Sequence, residues 1–101
     1  MSEPTRAYRF AVNVTPKPGI LDPQGKAVER SLPHLGIAGV TGVRVGRRVE
    51  LAVTAGDADA ARTVVERLAG ELLSNPLMEQ YTVEALAETE APARTAAGAA
   101  G

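Results

Sequence analysis

The sequence predicts a small α+β domain, and three observations carry that prediction. Apolar and polar residues alternate over Tyr8–Val14, Val43–Val53 and Gln80–Leu86, the period of two that marks half-buried strands. Between these strands lie two stretches, Ala27–Leu35 and Ala61–Leu72, whose apolar residues recur at helical spacing. A chain of 101 residues has room for one such unit. It buries only about 60–65% of its unfolded surface, so self-association would add stability. The order is strand, helix, strand or hairpin, helix, strand, read as an antiparallel sheet with both helices on one face.

The first strand puts Tyr8, Phe10, Val12 and Val14 on one side and Ala7, Arg9, Ala11 and Asn13 on the other. Pro16-Lys17-Pro18-Gly19 ends it, because two prolines prevent further ladder pairing. Asp22 then serves as an N-cap whose carboxylate accepts from first-turn amides, and Pro23 falls at the first helical position. Ala27, Val28, Leu32 and Leu35 form the apolar stripe, and Gly36 suits a left-handed cap. Pro33 removes one i to i−4 bond and clashes with the Glu29 carbonyl, so the helix is expected to stop or kink there. Capping leaves Gln24 and Gly25 unexplained, since a first-turn glycine weakens a helix by roughly 1 kcal/mol relative to alanine. Leu21–Gly25 therefore reads either as a well-capped helix start or as a surface knuckle whose glycine admits a partner's backbone. The knuckle is the preferred reading.

In the second strand region Val43, Val45, Val49, Leu51 and Val53 share odd parity. A two-residue hairpin at Gly46-Arg47 would break that pattern. A three-residue loop, Gly46-Arg47-Arg48, preserves it, and so does one long strand bent or bulged at Gly46. The long bent strand is preferred, and its free edge is suited to pairing with another subunit. The second helix follows Gly56 with Asp57 or Asp59 as its cap. Its expected buried stripe is Ala61, Val64, Val65, Leu68 and Leu72, with Arg62, Glu66 and Arg67 outward. Ser74-Asn75-Pro76 stops it, and the last strand shows Tyr81, Val83 and Ala85 on one side. Residues 1–6 read as a flexible N-terminus, 7–87 as the domain and 88–101 as a disordered Ala/Gly-rich tail. This order of elements is close to a ferredoxin-like fold.

Composition removes several functions. Lys plus Arg number 11 against 12 Asp plus Glu, so no global field draws nucleic acid or an anionic membrane. Tyr8, Phe10 and Tyr81 are the only aromatics, too few for a base-stacking sheet. Without cysteine there are no disulfides, thiolate metal sites or cysteine nucleophiles. No apolar run spans a bilayer and no signal-peptide pattern opens the chain, so a cytoplasmic protein is expected.

Catalytic constellations are mostly absent as well. His34 is the single histidine and has no acid beside it; Ser2, Ser31 and Ser74 lack a nucleophile-elbow context. Gly36, Gly39 and Gly42 run from helix to strand, the wrong order for a dinucleotide loop. Asp57 and Asp59 at a helix start read as capping before they read as a metal site. The basic set Arg44, Arg47 and Arg48, with Lys26 and Arg30, is either a solvated sheet edge or a docking patch for an acidic surface.

Three segments in fixed order carry a resemblance: Lys17–Val28, Val43–Arg47 and Asn75-Pro76-Leu77-Met78-Glu79. Together they resemble PurS, the small subunit of phosphoribosylformylglycinamidine synthase, collinearly from about Tyr8 to Glu84. Two residues depart from the family's pattern. Arg47 stands where it has lysine, which keeps the charge and changes the hydrogen-bond geometry, and Pro33 sits late in the first helix. The resemblance implies a non-catalytic subunit of an ATP-dependent ligase complex in de novo purine biosynthesis. That complex converts formylglycinamide ribonucleotide, glutamine and ATP to formylglycinamidine ribonucleotide, glutamate, ADP and phosphate. It further implies a homodimer or higher homo-oligomer bridging a PurQ-type glutaminase and a PurL-type synthetase and helping ammonia pass between them. ATP and magnesium would belong to the synthetase, with no cofactor or metal on this chain. The implied interface residues are Leu21, Asp22, Pro23, Gln24, Gly25, Arg44, Gly46 and Arg47. Two other readings stay open: a regulatory dimer holding a small molecule at its seam, and a minor enzyme subunit with a metal on Asp57, Asp59 and His34.

Overall fold

A computed structural model describes residues 5–87. The expected tail, 88–101, and residues 1–4 lie outside that range. The elements are β1 (Arg6–Pro16), α1 (Pro23–Ser31), β2 (Arg47–Ala55), α2 (Ala58–Leu68) and β3 (Glu79–Ala85). A 3-10 turn, Leu32–Leu35, prolongs α1, and a π-helical turn, Ala69–Leu73, prolongs α2. β1 thus begins at Arg6, within the stretch expected to be flexible.

The sheet order is β2-β1-β3, antiparallel throughout. Register follows the parity of the sequence. Tyr8 pairs with Val53, Phe10 with Leu51 and Val12 with Val49, while on the other side Val12 meets Val83 and Val14 meets Tyr81. Directly paired residues share a face, so one face of the sheet is apolar. Phe10, Val12 and Val14 on that face are buried against Ala61, Val65 and Ala69 of α2 and its extension. Two alanines in the contact stripe let the helix lie close to the strands.

The opposite face is polar. Ala11 sits between Glu50 and Glu84 in the ladder and is fully buried. Arg48 bonds Glu50 at 2.9 Å, Glu84 at 3.0 Å and Asn13 at 3.2 Å, and Arg9 pairs with Glu50 at 3.7 Å. Two cations and two carboxylates therefore span all three strands.

The start of α1 forms as expected: the Gly25 amide donates to Asp22 Oδ1 at 3.0 Å, with Pro23 at the first position. Pro33 ends the α-helix and leaves a 3-10 turn closed by Gly36 at φ 70°. Asp57, rather than Asp59, caps α2 by accepting from Ala60. Two expectations need correction. Val64 and Leu72, assigned to the buried stripe of α2, are exposed, and Ala69 takes a buried place instead. The π turn shifts the register of the last residues, which breaks the regular helical stripe.

The second correction concerns α1. Of the two helices only α2 covers the apolar sheet face. α1 buries just Gly25 and stands against residues 43–45, leaving Val28 and Leu35 at the surface. The segment before β2 is neither a hairpin nor a continuous strand. The ladder starts at Arg47, and Gly46 is pressed onto the Val14 carbonyl, where no Cβ would fit.

Candidate protein-docking site

The three segments singled out in the sequence converge at one end of the sheet, and specific bonds hold them together. Asp22 is the hub. One carboxylate oxygen caps α1 through Gly25, and the other accepts from the Val45 amide at 2.7 Å. These two amides, with the Arg44 guanidinium nearby, hold its carboxyl below the usual range. Seven residues on, Glu29 accepts from the Val43 amide at 2.9 Å. Two carboxylates thus take up the amides of Val43 and Val45, residues that no strand partner serves.

Arg44 and Arg47 are also committed within the chain. Arg44 donates to the carbonyls of Lys17 at 2.9 Å and Ile20 at 3.2 Å, fixing the turn before α1. Arg47 grips Glu79 with both terminal nitrogens, at 2.8 and 2.9 Å, and also reaches the Leu73 carbonyl at 2.6 Å. This fork lowers the Glu79 carboxyl and raises the Arg47 guanidinium. Glu79 in turn accepts from the Asn75 amide at 2.7 Å, and the Asn75 side chain accepts from Leu77 at 3.1 Å. Asn75–Glu79 is therefore a turn closed by its own side chains and stapled to β2. A bond from the Lys17 amide to the Met78 carbonyl, 2.9 Å, ties it to the first segment.

Gly25 is required by this packing. A Cβ there would collide with the Val43 carbonyl and lie 2.8 Å from Asp22 Oδ2. The backbone that Gly25 admits is thus this chain's own, which corrects the expectation of a partner's.

Between the three segments lies a cleft of about 570 Å³. Asp22, Gln24, Gly46, Arg47 and Glu79 line it together with Pro16, Pro23, Ile20, Leu21 and Met78. Of the residues marked in the sequence, Leu21, Asp22, Pro23, Gln24, Gly46 and Arg47 reach the cleft. Gly25 and Arg44 do not line it: Gly25 bonds to Asp22, and Arg44 to the carbonyls of Lys17 and Ile20. Asn75, Met78 and Glu79 were part of a quoted segment but were given no role. The signal available for Glu79 was that it is the one charged residue of its segment, set against the arginines of Val43–Arg47.

The cleft combines internally paired charges with exposed apolar side chains. Its charged groups are satisfied internally, so they shape the walls. Leu21, 70% exposed, and Met78, 48% exposed, offer apolar contact, with Leu77 beside them. Among the described residues no group of three or more His, Cys, Asp or Glu is placed to hold a metal. Asp57 of the metal reading is occupied as a helix cap. Nor, among those residues, is any helix long and apolar enough to cross a membrane.

Comparison with known proteins gives a consistent picture. The family model described as PurS, phosphoribosylformylglycinamidine (FGAM) synthase, matches residues 9–87. A Synechocystis protein, phosphoribosylformylglycinamidine synthase subunit PurS, is 36% identical over 80 residues, covering 79% of this chain and 80% of its own length. The crystal structure of the PurS subunit from Thermotoga maritima superposes with a TM-score of 0.75 at 31% identity, covering 83% of this chain and 97% of that one. A chain of the PurLQS structure from the same organism gives 0.73 at 32% identity, with 80% and 99% covered.

Proposed function

This chain belongs to the PurS family of FGAM synthase, and from that membership we propose that it is the bridging, non-catalytic subunit between a PurL-type synthetase and a PurQ-type glutaminase. The single observation that carries the docking role is the cleft. Three separated segments are cross-linked by Asp22, Arg44, Arg47 and Glu79 into a rigid frame around an apolar opening. Support for the partners comes from the likeness to a chain of the PurLQS structure.

The reaction explains why a bridge is needed. Glutamine supplies nitrogen as ammonia, which near neutral pH is mostly protonated and then no nucleophile. A dry route between the two active sites keeps it reactive, and a rigid adaptor fixes their orientation. In this reading ATP and magnesium sit on the synthetase, the chain acts as a homodimer or higher homo-oligomer, and the complex works in the cytoplasm. Leu21, Gln24 and Met78 make contact with a catalytic subunit, while Asp22, Gly25, Arg44, Gly46 and Arg47 hold the frame.

The test is activity of the two catalytic subunits with and without this chain. Addition should restore the glutamine-dependent rate and leave the ammonia-dependent rate largely unchanged. If neither rate responds, the bridging reading fails.

A further inference from the structure

The polar side chains that line the cleft are, with one exception, engaged within the chain. Asp22 takes the amides of Gly25 and Val45, Arg47 and Glu79 hold each other, and the Asn75 carboxamide accepts from Leu77. The exception is Gln24. It lies exposed in the first turn of α1, and among the described residues its carboxamide has no hydrogen-bond partner. Around these groups the wall is apolar, formed by Ile20, Leu21, Pro23 and Met78.

We propose that the cleft takes up an uncharged, apolar loop of a catalytic subunit, and that the Gln24 carboxamide bonds one peptide group of that loop. The inference rests on the bridging reading above and states the chemistry of the segment that is bridged.

Charge decides the first half. A cation or anion entering the cleft would find no free counter-charge, because Asp22, Arg47 and Glu79 are already bonded. It would break one of those pairs or lose its water without compensation, and a buried charge left unpaired is costly. A neutral segment meets no such penalty. Gln24 decides the second half. A carboxamide carries a donor and an acceptor side by side, the complement of a peptide N–H and C=O. Covered by apolar side chains alone, it would be desolvated and unpaired. A loop that brings its own backbone into the cleft satisfies it.

Size and stiffness agree with this. The cleft volume of about 570 Å³ falls within the roughly 300–1,000 Å³ of sites that enclose a few apolar groups. Walls held by Asp22, Arg47 and Glu79 need little ordering on binding. A second copy does not fill the opening, since cleft against cleft across a two-fold axis leaves both empty.

The test charges the cleft in both senses. Gln24→Glu and Gln24→Lys keep a long polar side chain at an exposed position, so the circular dichroism spectrum should be unchanged. Each should weaken binding to the purified catalytic subunits at least tenfold. Gln24→Met, which keeps the length and loses the amide, should weaken it about three- to tenfold. If one charge weakens binding and the opposite charge tightens it, the segment is itself charged and the proposal falls. Wild-type affinity in all three variants overturns it as well. So does an effect confined to self-association, which would make a second copy the occupant. Unaltered chain that binds neither catalytic subunit would sink the bridging reading itself, and the proposal with it.

Discussion

Gly25 shows how one residue can be decided by two opposed magnitudes. Replacing it with alanine improves helix propensity by roughly 1 kcal/mol, but the new methyl would meet the Val43 carbonyl and the Asp22 carboxylate. Overpacking of this kind costs about 1–3 kcal/mol, and backbone on the far side has little room to yield. Gly25→Ala should therefore lower the urea midpoint at unchanged slope, and an unchanged or higher midpoint would contradict the close approach. Arg47 teaches a related lesson. As one of the interface residues that the resemblance implies, Arg47 would make Arg47→Glu a docking probe that leaves the fold alone. Its guanidinium in fact bridges Glu79 and the Leu73 carbonyl. The substitution would set two carboxylates against each other and free the Asn75–Glu79 turn, so lost assembly would no longer report on docking alone.

Among the elements, the sheet was the most legible. Period-two alternation assigned the faces of β1 and β2, and the observed register keeps Val49, Leu51 and Val53 opposite Val12, Phe10 and Tyr8. Asp22 and Gly36 read correctly as caps because capping is local chemistry. The α2 stripe read less well, since helical spacing gives a face but not what covers it. Val64 and Leu72 lie on apolar positions that, among the described residues, are left 45% and 73% exposed. Least visible was the joint before β2. Side-chain carboxylates take the amides of Val43 and Val45 there, and no strand pattern encodes that. The polar sheet face has a pH signature of its own. Arg48 holds Glu50 and Glu84 below their ordinary value of 4.5. Depressed carboxylates stabilise the fold above that value and lose the contribution as pH falls through their folded values. Melting temperature should thus stay level on mild acidification and drop below about pH 4.5. Arg48→Gln should melt lower at neutral pH and lose less on acidification. Asp22 and Glu79, also depressed, would keep part of the acid limb in that variant. Parallel acid limbs for the two proteins would refute the role given to Arg48.

At the scale of the molecule, the cleft and the α2 flank of Val64, Leu68 and Leu72 are separate apolar surfaces on a chain whose buried core, among the described residues, is a few valines, alanines and one phenylalanine. Substitutions should sort accordingly. Leu21→Glu, at a 70% exposed position, should reduce co-elution with the catalytic subunits at least tenfold and leave self-association intact. Unchanged co-elution would deny Leu21 its part in the proposed contact. The three docking segments were legible as a set in the sequence, but their mutual bonds were not, because Arg47–Glu79 and Asp22–Val45 join residues 32 and 23 positions apart. That second bond has a mechanical consequence. A chain without cysteine has no covalent brace. One Asp22 carboxylate stands in for it, clasping the start of α1 and the backbone entering β2. The two legs of the excursion between β1 and β2 are thus pinned side by side and part only if both bonds break together.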